Sequence, residues 1–289
     1  MTKPLTLSLF VLSAAFSAHA QTNVGSGAYG FSDGVHPTFS VVIEGTDAKT
    51  VEGFWRDELK RISEDVLTKK EVIGAGALVP QVSPDTVRVL VKAEQRKGSP
   101  MLTAHVAIFT RNGWVGPDSD PKVYEAAERF VGERTTVLRR QLAQTAVDKA
   151  QNVLGNLQRQ LADLKREKDR AEGNLERSQE KGAEAVQEQE RTMKELDALA
   201  PKVEKQRATN LSTPNEENGK ELADLLKQQE RLQEKHRRAL DQDRDMKKKV
   251  DEITWAMRKN VEDQERKTTE VERQQKVVDD LRAKLEAIH

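Results

Sequence analysis

Hydrophobic and polar residues alternate along the first part of this chain. In "TFSVVIEG", Phe39, Val41 and Ile43 share one face, and the same alternation recurs over 87–91 and 102–108. A period of two predicts half-buried β-strands. Residues 47–66 instead have apolar side chains at helical spacing, and the Gly-rich run that follows is a further candidate strand, ending at Pro80. Residues 37–112 are therefore predicted to form a small α+β domain in the order β-α-β-β-β.

Beyond residue 121 the spacing becomes helical and stays so. Residues 121–200 carry an apolar stripe through Leu154 and Leu161, which resumes after a register slip at Val186 and Met193. Residues 220–289 follow a heptad repeat. Its a positions are Val250, Met257, Gln264, Val271, Val278 and Leu285, and its d positions are Met246, Ile253, Asn260, Lys267, Gln274, Leu281 and Ile288. Such a repeat favours a coiled coil, and its polar members would either fix the register or let the helices splay.

The segment 201–219 interrupts the two helical stretches. Pro201 has no backbone donor, and Pro214 holds Thr213 extended. Thr213-Pro214-Asn215-Glu216 fits a capping box, so the second helix could begin as early as Pro214, although Gly219 favours a later start. We predict a tip loop over 201–219 that reverses the chain and returns His289 to residues 124–135. The alternative is one continuous helix that pairs with other chains.

The predicted fold class follows from these segments. It is an α+β small head domain followed by a long antiparallel α-helical coiled-coil hairpin, mainly α overall. The ascending helix covers 121–200 and the descending helix 220–289. At 1.5 Å per residue, such a stalk would separate the head from the tip loop by about 100 Å.

The N-terminus has the pattern of a secretory signal peptide. Lys3 precedes an apolar run over 5–15, and Ala18-His19-Ala20 fits a cleavage site. The run is too short to span a bilayer. We predict a signal peptide over 1–20, cleaved after Ala20, and export to the periplasm or the cell exterior. Residues 21–36, rich in Gly and Ser, are expected to form a flexible leader, and no later segment is expected to cross a membrane.

Composition narrows the function classes. Lys and Arg together number 48, as do Asp and Glu, so no net field attracts nucleic acid. The chain has no cysteine, which excludes disulfides, thiol catalysis and Cys-ligated metal. The histidines never form a metal-ligand spacing, and His105 is expected to be solvated. We therefore expect no enzyme activity, no cofactor and no metal site.

A few residues stand out as candidates for contacts. Trp255 falls at heptad position f, furthest from the seam, so its indole is expected to be exposed for a partner unless a local register shift buries it. Ser212, Pro214 and Asn215 in the tip loop are further candidate protein contacts. Trp114 and Tyr124 are predicted to pack at the junction of head and stalk.

The function expected is that of an exported structural or interaction protein. Its partners would be other proteins or further copies of itself, held through the coiled coil, and either end could contact an envelope surface. One alternative is a periplasmic holdase chaperone, because the outline is similar to the Skp family, which combines long helical hairpins with a small β body. Those chaperones are basic and insert their helices within the β-domain, and no motif matches. Another alternative is an accessory component of an envelope transport or division assembly, since efflux adaptors and division-hydrolase activators also use helical hairpins.

Overall fold

A computed structural model describes residues 23–95 and 98–289, so the predicted signal peptide lies outside the described residues. The elements are β1 (Gly25–Phe31), β2 (Gly34–Glu44), α1 (Ala48–Ile62), β3 (Asp65–Thr68), β4 (Val72–Ala77), β5 (Val87–Gln95), β6 (Met101–Thr110), β7 (Gly113–Trp114), α2 (Pro121–Ser212) and α3 (Glu216–Glu286). The chain is mainly helical, with an antiparallel sheet before two long helices. It divides into a first unit, residues through Asn152 with Lys276–His289, and a second unit, Val153–Gln275.

The first unit is built on a seven-stranded antiparallel sheet. The strand order is β1-β2-β6-β5-β4-β3, and β7 pairs with β6. The sheet contains more strands than the alternation predicts. Residues 25–31, predicted to lie in a flexible leader, form β1 against β2. Main-chain pairing holds this Gly- and Ser-rich strand, so it lacks the apolar alternation by which strands are recognised.

One face of the sheet carries the main core. Phe39, Val41 and Ile43 of β2 are buried there, as predicted, together with alternate residues of β5 and β6. Helix α1 packs Trp55 and Leu59 onto this face, and the first turns of α2 add further apolar side chains: Ala127, Phe130, Val131 and Leu138. Both helices begin at an aspartate cap. Asp47 accepts a hydrogen bond from the Thr50 amide at 2.7 Å, and Asp120 accepts one from the Lys122 amide at 2.9 Å.

A buried carboxylate also ties α1 to α2. Glu58 is 8% exposed, and its two oxygens accept hydrogen bonds from Arg61 at 2.7 Å and Arg134 at 2.9 Å. The Arg134 guanidinium lies 5.7 Å from the centre of the Phe130 ring. Because the charge on Glu58 is paired across the two helices, this contact fixes how the start of α2 lies on the head.

Helix α2 continues through Pro201, so the predicted break over 201–219 is wrong. Proline removes one helical hydrogen bond, but apolar packing on both sides of it holds the helix. Leu199 and Val203 are buried with Leu232, and the leucines at 196, 222, 225 and 226 surround them. Only 213–215 separate α2 from α3, and Asn215 rather than Thr213 caps α3, accepting a hydrogen bond from the Asn218 amide at 2.7 Å.

In the second unit, contacts between α2 and α3 are symmetric about Pro214. Gln264 Nε2 lies 3.5 Å from the Leu164 carbonyl, Gln189 Nε2 donates to the Ala239 carbonyl at 3.1 Å, and Thr192 Oγ1 lies 3.1 Å from His236 Nδ1. Partner numbers fall along α3 as they rise along α2. The two helices therefore run antiparallel in this unit.

Burial along the two helices can be compared with the predicted heptad positions. Every predicted a and d position of α3 from Met246 to Ile288 is partly or fully buried. In α2 the predicted slip does not occur: Ala185, Thr192 and Leu199 are buried, whereas Val186 and Met193 are exposed. The buried positions of α2 keep one heptad register, and several of them hold small or polar residues. Such positions are not recognised when only large apolar side chains are considered.

The C-terminal end of α3 belongs to the first unit. There the Arg140 Nε donates a hydrogen bond to the Ile288 carbonyl at 3.0 Å. The predicted partner of this end was 124–135, and the difference arises because α2 continues to Ser212, so the chain reverses later than the middle of the predicted tip loop. Among the described residues, none of the helices combines the length and the apolar character needed to cross a bilayer.

Candidate functional site

The connection between α2 and α3 exposes an apolar side chain that the sequence analysis did not single out. Leu211 is 83% exposed in the last turn of α2, and Pro214 beside it is also exposed. The sequence predicted that α2 ends before Pro201. Leu211 could therefore be recognised as an exposed helical residue only once α2 was known to extend past Pro201. We call residues 211–215 the tip.

The polar tip residues form hydrogen bonds with the backbone at the ends of α2 and α3. Ser212 Oγ donates to the Ala208 carbonyl at 2.9 Å, and the Asn215 side chain caps α3. Asn218 Nδ2 donates to the Thr213 carbonyl at 2.7 Å, which closes the connection. Three of the predicted contact residues, Ser212, Pro214 and Asn215, thus lie together. Their polar groups hold the backbone, and the apolar side chains remain free for contact.

Trp255 lies elsewhere on the second unit. Its side chain is 67% exposed, as position f predicts, and Lys259 Nζ lies 5.7 Å from the centre of the ring. A cation over an indole face is a favourable contact, but it covers little of the ring. At 1.5 Å per residue, Trp255 lies about 60 Å along α3 from Asn215, so the indole and the tip form separate surfaces.

Three exposed aliphatic side chains of the second unit have equivalent places on α2 and α3. Val186 and Met193 follow the buried positions Ala185 and Thr192 by one residue, and Leu240 follows the buried Ala239 in the same way. Residues in this relation flank the seam on one side of two antiparallel helices. Met193 is 50% exposed and Leu240 is 42% exposed. We call this group the aliphatic strip.

The two residues predicted to join head and stalk have different surroundings. Tyr124 at the start of α2 packs into the main core, with its ring 5.1 Å from that of Phe39. Trp114 does not take the position predicted for it. It packs in a second cluster on the other face of the sheet, with Phe31, Leu90 and Ala107, and its ring stacks on His36 at 3.8 Å. Trp114 is the second residue of the short strand β7, whose pairing with β6 turns the indole toward that face.

His105 also lies on the second face of the sheet. It was expected to be solvated, but it is half-buried: its Nδ1 is 2.9 Å from Ser40 Oγ, and its ring stacks on Tyr29 at 4.3 Å. Burial lowers the pKa of His105 from the usual 6.5, while the nearby Glu94 carboxylate acts to raise it. Burial likewise raises the pKa of Tyr29 above 10.0. This histidine joins β1, β2 and β6 through its ring and its nitrogen.

Across 23–95 and 98–289, no group of three or more His, Asp or Glu side chains is arranged to hold a metal ion. Neither a protein-family model nor a curated protein matches this chain.

The tip, the aliphatic strip and Trp255 each present apolar atoms to solvent on a charged helical surface. Removing such atoms from water lowers the free energy, so these surfaces are suited to binding a partner by apolar contact.

Proposed function

We propose that this chain is an exported structural or interaction protein in which an antiparallel coiled-coil hairpin acts as a spacer between a small head domain and the tip. The observation that carries the proposal is the set of α2–α3 contacts symmetric about Pro214. Antiparallel helices that pack along a heptad seam form a stiff rod. From Val153 to Ser212 the rise of α2 alone amounts to about 90 Å, which would give such a spacer its reach.

The tip is the proposed contact end of the spacer. Leu211 is the most exposed of the large apolar residues in the described chain, and it lies where two helix ends meet. A partner that covered Leu211 would remove its exposed apolar surface from water, which is favourable. Trp255 offers a second contact along the shaft. Export and the cleaved signal peptide are part of this proposal.

Photocrosslinking in the native host tests the proposal. A photoreactive phenylalanine analogue at Leu211 should give a discrete adduct with an envelope protein, and the same group at Trp255 should give an adduct at the shaft. A charged, exposed control position such as Lys248 should give none. Equal labelling from all three positions, or none from Leu211, would contradict a contact role for the tip.

The holdase chaperone is a second candidate, because the aliphatic strip could hold unfolded apolar segments. Chaperone activity should then fall when the strip is made polar. In a light-scattering assay with an unfolded outer-membrane protein, the double variant Met193→Ser and Leu240→Ser should lose protection against aggregation. The variant Leu211→Ser is the matched control, since it removes a similar aliphatic surface outside the strip.

A further inference from the structure

Strand β1 lies at one edge of the sheet. Strand β1 ends the strand order of the sheet, so within the described residues only β2 pairs with it. In an antiparallel pair, alternate N–H and C=O groups of each strand point away from the partner. The outer side of β1 therefore presents a row of main-chain donors and acceptors. Such a row is a template for a further strand.

The two edges of this sheet differ in how they are protected. Strand β3 at the opposite edge has 4 residues, begins with Asp65 and is followed by Lys69, Lys70 and Glu71. Shortness and charge are usual ways of preventing strand addition. Strand β1 has 7 residues, with neither a charge nor a proline, and most of it is exposed. Within 23–95 and 98–289, its outer edge is thus open to pairing.

Glycines make room for large side chains beside β1. A Cβ added at Gly27 would be 4.0 Å from its nearest neighbour, Thr38 Oγ1, and one added at Gly30 would have nothing within 4 Å. Aromatic side chains on a neighbouring strand cover such edge glycines and replace their missing packing. Between the two glycines stands Tyr29, whose ring is held by stacking on His105. Because alternate residues of a strand point to opposite faces, an incoming strand would find the Gly27 gap beside the Tyr29 ring on one face of the sheet and the Gly30 gap on the other face.

The far end of β1 is anchored, which keeps this edge in place. Phe31 is buried in the second cluster with Leu90 and Ala107. Just beyond it, Ser32 Oγ donates a hydrogen bond to Glu71, and Asp33 lies 3.3 Å from the Arg88 guanidinium. A strand fixed at one end loses less conformational entropy when it pairs than a free one.

The side chains of β1 indicate which kind of strand could pair with its outer edge. A second copy of β1 would bring only Tyr29 and Phe31 as large side chains, and both already pack in the second cluster of their own sheet, so it could not cover the glycines. We propose that the β1 edge, Gly25–Gly30, binds an extended segment of another protein that carries aromatic or large aliphatic side chains at alternate positions. Main-chain hydrogen bonds supply the pairing, and the large side chains cover the glycines. This surface does not depend on the spacer function.

Fluorescence anisotropy with a defined peptide tests this site on the purified full chain. The probe is an eight-residue peptide that alternates Phe and Thr, with a lysine at each end, and it should bind saturably. The same peptide N-methylated at alternate amides should bind about tenfold more weakly, because it cannot donate hydrogen bonds to the edge. Hydrogen exchange of the Gly25–Gly30 amides should slow when the unmodified peptide binds.

Two protein variants locate the binding. Ala28→Lys puts a charge into the exposed strand and should weaken binding about tenfold. Thr68→Lys on the opposite edge is the matched control and should leave binding unchanged. Equal binding of the N-methylated peptide, exchange protection confined to α2 and α3, or the absence of saturable binding would each overturn the proposal. The peptide comparison uses the unaltered protein, so it remains decisive if Ala28→Lys fails to fold.

Discussion

Gly182 in α2 faces Met246 in α3 so closely that a Cβ added at Gly182 would lie 3.6 Å from the Met246 Cβ. Disulfides join Cβ atoms about 3.5–4.5 Å apart. The pair is symmetric about Pro214, like the hydrogen-bonded pairs Gln189–Ala239 and Thr192–His236. The chain has no cysteine of its own, so a bond engineered here would have no native competitor.

The double variant Gly182→Cys and Met246→Cys should oxidise to a crosslinked monomer. The disulfide should also raise the free energy of unfolding by about 2–4 kcal/mol, because it closes a long loop in the unfolded chain. Non-reducing gel electrophoresis and urea unfolding check both results. The control pair Gly173→Cys and Met246→Cys is out of register and should stay reduced. A covalent dimer from the first pair would show that the helices pair between chains.

Gly74 in β4 lies against the C-terminal end of α1, and it should not tolerate a side chain. A Cβ there would be 2.7 Å from Ser63 Oγ and 3.0 Å from Leu59 Cδ2. We expect Gly74→Ala to lower the free energy of unfolding by about 1–3 kcal/mol through overpacking. Gly53 in α1 has nothing within 4 Å of its Cβ position. Gly53→Ala should therefore raise stability by about 0.5–1 kcal/mol through helix propensity. Urea unfolding of the two variants should give shifts of opposite sign.

Stability of the first unit should fall as the medium becomes acidic. Because burial lowers the pKa of His105 from 6.5, the unfolded chain takes up a proton at this site before the folded chain does. The contribution of a neutral His105 is therefore complete above pH 6.5 and is lost as the pH falls through the folded pKa. The urea midpoint should drop between pH 7.5 and 5.5, and His105→Phe should reduce that drop.

The neighbours of His105 define the control for this experiment. Ser40, Tyr29 and Glu94 act on the ring, and Lys92 is its cross-strand partner on β5. His289→Gln changes an exposed imidazole at the C-terminus and should leave the pH dependence as it is in the unaltered chain. An equal effect from both variants would mean that the pH dependence arises elsewhere.

Alternation and heptad spacing predicted the elements that bury large apolar residues on one face. The faces of β2, β5 and β6, helix α1 and the seam of α3 are as the sequence indicates. Strand β1 escaped prediction because its pairing uses the main chain, and its only large side chains, Tyr29 and Phe31, pack on the second face of the sheet. That second cluster depends on contacts between residues far apart in sequence, which periodicity does not report.

Residues that usually end a helix predict its boundary wrongly where tertiary packing holds the helix together. Pro201 reads as the end of a helix, yet the leucine cluster around Leu199 and Leu232 keeps α2 intact across it. The same packing moves the tip to Pro214 and shifts the α3 partners along α2. Of the candidate contact residues, Trp255 was predicted from its heptad position alone, whereas Leu211 required the correct end of α2.

The contact between the buried Thr192 and the half-buried His236 should specify the register of the second unit. Thr192 Oγ1 donates to the Glu188 carbonyl at 2.7 Å, so it accepts a hydrogen bond from His236 Nδ1. Thr192→Val leaves that nitrogen unpaired and should cost about 1–3 kcal/mol, whereas Thr268→Val, at an exposed threonine of α3, should change stability little. Combining Thr192→Val with His236→Leu should recover most of the loss, since no polar group then lacks a partner.

Because an apolar layer permits other registers, the disulfide introduced by Gly182→Cys and Met246→Cys should form in lower yield in this combined variant. An unchanged yield would assign the register to the apolar seam alone.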